Sequence, residues 1–221
     1  MPTIDPGRRT RFFVAIGIVV LLFAFTMLAV AIGAGRTQAF DAAILLALRD
    51  SSDLAVPIGP PWMTGALFDV TALGSATVLG LVVLIVTGLL LLQRRAGAAL
   101  TIALTWFSGE WLNAGMKQGF DRPRPSIVPP LRAVFSASFP SGHAMASAIV
   151  YLTIAAVLIR LSASTVTRVY ILAVALLLTL LVGISRVYLG LHYPTDVLGG
   201  WILGCMWAST CWLLARRLER L

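Results

Sequence analysis

Phe12-Phe13-Val14-Ala15-Ile16-Gly17-Ile18-Val19-Val20-Leu21-Leu22-Phe23-Ala24-Phe25-Thr26-Met27-Leu28-Ala29-Val30-Ala31-Ile32-Gly33-Ala34 is an apolar run without a single charged residue. A helix needs about 20 such residues to cross ~30 Å of hydrocarbon, so this run is long enough to span a bilayer. Arg8, Arg9 and Arg11 precede it, which invites comparison with an export signal. The apolar core of a signal peptide is only about 7–15 residues long. The Arg8-Arg9 pair resembles a twin-arginine signal, but more apolar runs follow, so a retained anchor is the better reading.

Working outward from this run, residues 70–92, 100–116, 144–161, 169–184 and 197–215 form further apolar segments. The third of the six is interrupted by Glu110 and Asn113, and the fifth is short. Of the 221 residues, 59% are hydrophobic and 12% charged, too few charges to cover a soluble surface. The expected fold is all-α: a bundle of six transmembrane helices forming a single membrane domain over residues 1–221, with no internal repeat. Residues 38–49, with Asp41 and Arg49 near the ends, are too short to span and read either as an interfacial helix or as one packed in the core.

The net charge of +8 is distributed as topology demands rather than as a nucleic-acid-binding stripe. Arg8, Arg9 and Arg11, then Arg94 and Arg95, then Arg160 and Arg168, then Arg216, Arg217 and Arg220 all fall on one side of a six-span chain. That side is expected to be cytoplasmic, with both termini inside. Lys117, Arg122, Arg124 and Arg132 break the rule by lying on the outer side, which points to an anionic ligand there. Cys205 and Cys211 lie six residues apart in the last run, on different helix faces, so neither a disulfide nor a metal pair is indicated.

The chain has two histidines, His143 and His192, and one lysine, Lys117, all at outer ends of spans or in adjoining loops. Three clusters hold them. In residues 117–125 a lysine point charge and the Arg124 fork suit phosphate oxygens, and Pro123 and Pro125 are expected to end the helix and stiffen the loop. A basic loop touching lipid headgroups would look the same. In Phe139-Pro140-Ser141-Gly142-His143, Ser141 reads as an N-cap and Gly142 permits close approach to a helix start, where free N–H groups attract anions. The third cluster runs from Ser185 and Arg186 to His192 and Asp196. Four residues around a helix start bring the Asp196 carboxylate to one imidazole nitrogen, fixing the tautomer and freeing the other nitrogen to attack. Alone, such a pair is more often structural than catalytic; its company gives it weight. Glu110, with Asn113 and Lys117, lines one face of the third span and either steadies Lys117 or Arg186 or pairs with an arginine for structure.

Lys117 with Arg124-Pro125, Pro140-Ser141-Gly142-His143, and Ser185-Arg186 with His192 and Asp196 together resemble the three-part signature of the type 2 phosphatidic acid phosphatase family. The resemblance covers the core from the third span to the sixth, with the signature over residues 117–196, and implies a phosphatase needing no metal ion or other cofactor. By analogy, Lys117, Arg124 and Arg186 clamp the phosphate while Ser141 and the Gly142 backbone donate to it. His192 attacks phosphorus, Asp196 orients His192, and His143 protonates the leaving oxygen. Charge stabilisation of this kind is what phosphoryl transfer mainly requires.

The expected activity is hydrolysis of a lipid phosphate or diphosphate through a phosphohistidine, at the outer face of the cytoplasmic membrane. Undecaprenyl diphosphate, phosphatidylglycerol phosphate and phosphatidic acid all place phosphate at this depth, and the outward site tips the choice slightly to the first. A phosphotransferase using the same site and an anion transporter are the rival readings.

Overall fold

The computed structural model describes residues 6–218. It contains eight helices: α1 (Pro6–Gly33), α2 (Gln38–Ala47), α3 (Pro61–Ala72), α4 (Ala76–Leu92), α5 (Ala96–Phe120), α6 (Gly142–Leu161), α7 (Thr165–Tyr188) and α8 (Pro194–Leu218). The only extended pairing among these residues is an isolated bridge between Arg49 and Pro57.

The all-helical expectation holds, and the apolar faces of the helices make this an integral membrane protein. The expectation of six spans is met in part. Four helices (α1, α6, α7 and α8) are long and apolar enough to cross a membrane, and α3 with α4, bent by 50°, make a fifth if taken as one broken span. The run over 70–92 is thus split, because the chain turns at Leu73-Gly74-Ser75 and Ser75 caps α4 through Val78 N–H. Helix α5 has 25 residues but is not among the apolar candidates; Glu110, Asn113, Lys117 and Gln118 lower its hydropathy. Arg220 and the side chain of Arg217 lie outside the described residues.

Two boundaries change the reading of the clusters. Helix α5 ends at Phe120, where Asp121 takes a left-handed conformation (φ 41°), so the chain reverses two residues before Pro123 rather than at the prolines. Asp is one of the few non-glycine residues that tolerates this region. Lys117 is therefore in the last turn of α5, as Arg186 is in the last turn of α7.

Helix α6 is the axis of the bundle and touches α4, α5, α7 and α8. Between helices in a bilayer there is little hydrophobic gain, since lipid tails are as apolar as leucine, so close packing through small residues does the work. A Cβ on Gly200 would meet the Ser141 carbonyl at 2.6 Å, and one on Gly204 the Met145 carbonyl at 2.7 Å. Only glycine lets α8 lie this close to α6. The contact positions the functional end of the molecule, because it brings the first turn of α8 against the start of α6, where Ser141 N–H donates to the Asp196 carbonyl at 2.9 Å. Phe25, Phe139, Met145, Ile149 and Leu203 complete this seam from α1 and the loop before α6. Phe12, Val19, Leu84, Ile85 and Val166 stay exposed on the outer rows of α1, α4 and α7, as a lipid-facing surface requires.

Short α2 is core-packed on one side and exposed on the other. Asp41 and Leu45 are fully buried, while Phe40 and Leu46 face outward.

Candidate active site

The C-terminal ends of α5 and α7 and the N-terminal ends of α6 and α8 meet at one end of the bundle. Between them lies a cavity of about 270 Å³, lined also by Gly74 and Ala76 from the α3–α4 bend and by Val134 and Ser136 from the loop before α6. Lys117, Arg124, Gly142, His143, Arg186 and His192 all line it. Six of the eight sequence-predicted residues are thus gathered from three helices and two loops. The remaining two, Ser141 and Asp196, are fully buried beside it. Larger hollows of about 640 and 780 Å³ elsewhere contain neither histidine.

The three cations are held by neutral groups. Lys117 Nζ donates to the Ala137 carbonyl at 2.8 Å, and Arg124 Nε to the Ser136 carbonyl at 2.7 Å. Arg186 Nη1 donates to Thr71 Oγ1 at 3.2 Å. None of them pairs with a carboxylate among the described residues, so their charge is free to act on an anion.

Several buried polar atoms around the cavity lack partners among the described residues: Ser141 Oγ, Arg186 Nε and Asn113 Oδ1. An unsatisfied buried donor is costly, on the order of 1–3 kcal/mol, and asks for a ligand that completes it. Ser141 does occupy the N-cap position (φ −68°, ψ 113°), but its side chain makes no capping bond. The expected cap is therefore corrected: the hydroxyl is withheld from the helix. A Cβ on Gly142 would lie 2.9 Å from Asn113 Nδ2, which explains glycine at that position.

His192 Nδ1 lies 3.4 Å from Asp196 Oδ2, and Nε2 lies 3.2 Å from Arg124 Nη1. A guanidinium only donates, so Nε2 is the acceptor and the proton resides on Nδ1, facing the carboxylate. Burial lowers the His192 pKa from 6.5 to about 4; Asp196 opposes this shift, and Arg124 and Arg186 reinforce it. At neutral pH the imidazole is uncharged and its Nε2 lone pair faces the cavity cations.

Asp196 is itself fixed by more than histidine. Its Oδ2 accepts from Tyr193 N–H at 2.9 Å and from Ser138 Oγ at 2.5 Å, and its Oδ1 from Arg122 Nη1 at 2.5 Å. Of the groups around it, Arg122 was legible only as one of the outer-side cations expected to meet an anion, and Ser138 not at all. Asp41 left one signal, an acid in a largely apolar short helix. Glu110 lines the cavity but forms no ion pair or hydrogen bond among the described residues, so neither expected partner holds it. No group of three or more His, Cys, Asp or Glu residues is gathered at metal-binding distance among the described residues.

Three cations without carboxylate partners among the described residues, set around one cavity with two imidazoles at one end of a membrane bundle, fit a membrane phosphatase. Comparison with known proteins narrows the class. A model of the PAP2 superfamily matches residues 97–220. Phosphatidylglycerophosphatase B of Bacillus subtilis (strain 168) is 36% identical over 187 residues, covering 84% of this chain and 88% of that protein. The crystal structure of a transmembrane PAP2-type phosphatidylglycerolphosphate phosphatase from Bacillus subtilis superposes with a TM-score of 0.80 at 34% identity, over 92% of this chain and 96% of that one. LpxE of Aquifex aeolicus shares the fold alone, with a TM-score of 0.59 at 22% identity over 79% of this chain and 93% of its own. The chain belongs to the PAP2 superfamily and is a phosphatase.

Proposed function

We propose that this enzyme hydrolyses the phosphomonoester of a lipid, with phosphatidylglycerol phosphate first among the candidates, through a phosphohistidine on His192. The observation that carries the reading is the convergence of Lys117, Arg124, Arg186, His143 and His192 on one cavity without a carboxylate partner for any cation. The names of the Bacillus subtilis relatives move the substrate preference from undecaprenyl diphosphate to phosphatidylglycerol phosphate.

In the proposed reaction the phosphate enters among the three cations and takes the empty bonding positions of Ser141 Oγ and Arg186 Nε. Arg124 Nη1 leaves His192 Nε2 for a phosphate oxygen. Nε2 then forms a bond to phosphorus as the ester P–O bond breaks, and His143 gives its proton to the departing lipid oxygen. Asp196 offsets the positive charge that develops on the His192 ring. In the second half, His143 takes a proton from water as the water oxygen bonds to phosphorus and the P–N bond breaks. Inorganic phosphate leaves and both imidazoles are restored. The cations supply the charge stabilisation that magnesium supplies in many other phosphoryl-transfer enzymes.

Purified protein in detergent, given no added acceptor, should release phosphate fastest from phosphatidylglycerol phosphate and should do so in excess EDTA. Release that needs an acceptor alcohol would make it a transferase, and loss in EDTA restored by Mg²⁺ would contradict the mechanism. Intact anion flux after removal of both histidines would favour a transporter.

The full bundle is proposed to make six spans, with α3–α4 as one broken span and α5, roughly 37 Å long at 1.5 Å per residue, as another. Arg94, Arg95, Arg160 and Arg168 then lie at the end opposite the cavity. Single cysteines placed in the loop 121–141 of a Cys205→Ala/Cys211→Ala background should react with an impermeant reagent in intact cells, and cysteines at 94 or 163 should not. The reverse pattern would invert the orientation.

A further inference from the structure

Asp196 does not serve His192 alone. Arg122 lies between two fully buried carboxylates, with Nη1 on Asp196 Oδ1 at 2.5 Å and Nη2 on Asp41 Oδ2 at 2.9 Å. Asp41 is anchored to the start of α8 as well: its Oδ1 accepts Thr195 N–H at 3.0 Å, and its Oδ2 accepts Thr195 Oγ1 at 2.7 Å. Arg122 Nη1 also reaches Thr195 Oγ1 at 2.9 Å, and the guanidinium stacks on the Tyr193 ring, 4.3 Å from its centroid. The Arg122 carbonyl accepts Ser138 N–H at 2.8 Å, so the residue that holds Asp196 Oδ2 is tied to the same network. Neither Asp41 nor Arg122 lines the phosphate cavity.

Resting on the phosphatase reading above, we infer that Asp41, acting through Arg122, is a positioning residue that keeps the Asp196 carboxylate available to His192. An arginine bonded to Asp196 alone would neutralise it and leave the cationic, phosphorylated imidazole without a counter-charge in a buried site. A second carboxylate on the same guanidinium removes that loss. Two carboxylates and one guanidinium leave one negative charge in excess, which matches the single positive charge His192 gains when its Nε2 is phosphorylated. A buried ion pair serving stability only would close on itself; this one is shared with the residue that orients the histidine.

The other groups that face His192 do not supply this charge. Arg124 comes from the loop before α6, Arg186 from α7, His143 from α6 and Lys117 from α5, all basic. Tyr193 is neutral, and Glu110, which lines the same cavity, makes no ion pair or hydrogen bond to His192 among the described residues. Asp196, with Arg122 and Asp41 behind it, is the acidic side of the imidazole.

Substitutions that change the sign of the cluster test this. Asp41→Asn keeps the shape and an acceptor for Thr195 N–H but leaves Arg122 to Asp196 alone. It should lower kcat by about 10- to 100-fold, the usual cost of losing a residue that orients a catalytic ligand, with KM changed by less than about 3-fold because the phosphate clamp is intact. Arg122→Gln leaves two uncompensated carboxylates beside the imidazole and should move His192 titration upward from the parent value. The double variant Asp41→Asn/Arg122→Gln restores one excess negative charge. Its kcat should exceed that of Asp41→Asn, and His192 should titrate near the parent value.

The titration is read by ¹⁵N NMR in a His143→Gln background purified without a histidine tag, so that one imidazole remains. It needs no substrate, and therefore tests the charge network even if the lipid assignment fails. Failure of the parent protein to release phosphate from any lipid would instead reject the phosphatase reading. If either single variant does not fold, the double variant carries the test, with His192 titrating near the parent value and kcat within about 10-fold of the parent expected. An unmoved titration in Arg122→Gln, or a double variant no better than Asp41→Asn, would overturn the inference in favour of a purely structural ion pair.

Discussion

His192→Ala should abolish turnover, with kcat falling by at least about 10⁴-fold, and should remove every trace of covalent phosphoenzyme. The size follows from what Nε2 is proposed to do. Without it no side chain in the cavity offers an unprotonated nitrogen held toward phosphorus by an opposing carboxylate. Binding should survive, because Lys117, Arg124 and Arg186 remain. The variant should therefore still bind inorganic phosphate, which needs only the cations, while showing no activity. A His192→Ala protein that keeps a substantial share of its activity would transfer the nucleophile elsewhere.

His143→Ala should slow hydrolysis of the lipid substrate by about 10²- to 10⁴-fold, the range associated with loss of a general acid. With p-nitrophenyl phosphate the loss should be far smaller for the first step, because p-nitrophenolate departs without needing a proton. The contrast between the two substrates separates proton donation from simple damage to the cavity, which would slow both alike. Equal losses would remove His143 from its proposed role. In the intact enzyme one imidazole must be neutral and the other charged, so the rate should fall at both ends of the pH range, with apparent pKa values that belong to the coupled site.

Much of this arrangement was legible in the sequence because its residues are scarce. Two histidines and one lysine in 221 residues, placed beside span ends, single themselves out, and their spacing carries the family resemblance. Helix type and approximate position followed from the length of the apolar runs. What could not be read was whatever depended on contacts distant in sequence. Asp41 meets Arg122 and Thr195 across 81 and 154 residues, and no local pattern announces either contact. The bend at Leu73-Gly74-Ser75 was hidden within a continuous apolar run, yet it supplies Gly74 and Ala76 to the cavity wall. The hydroxyl of Ser141 shows the opposite case. The residue stands at the N-cap position the sequence indicates, but the hydroxyl makes no capping bond, which residue type alone does not reveal.

Whether phosphate passes through His192 is answered by rapid quenching. Enzyme mixed with ³²P-labelled phosphatidylglycerol phosphate is stopped in alkali within milliseconds, digested, and the label is mapped by peptide. Acid-labile, alkali-stable phosphate is expected on the peptide carrying His192, formed and lost at rates consistent with turnover. Label on the His143 peptide, or a quench fast enough to trap the intermediate that finds none, would contradict passage through His192.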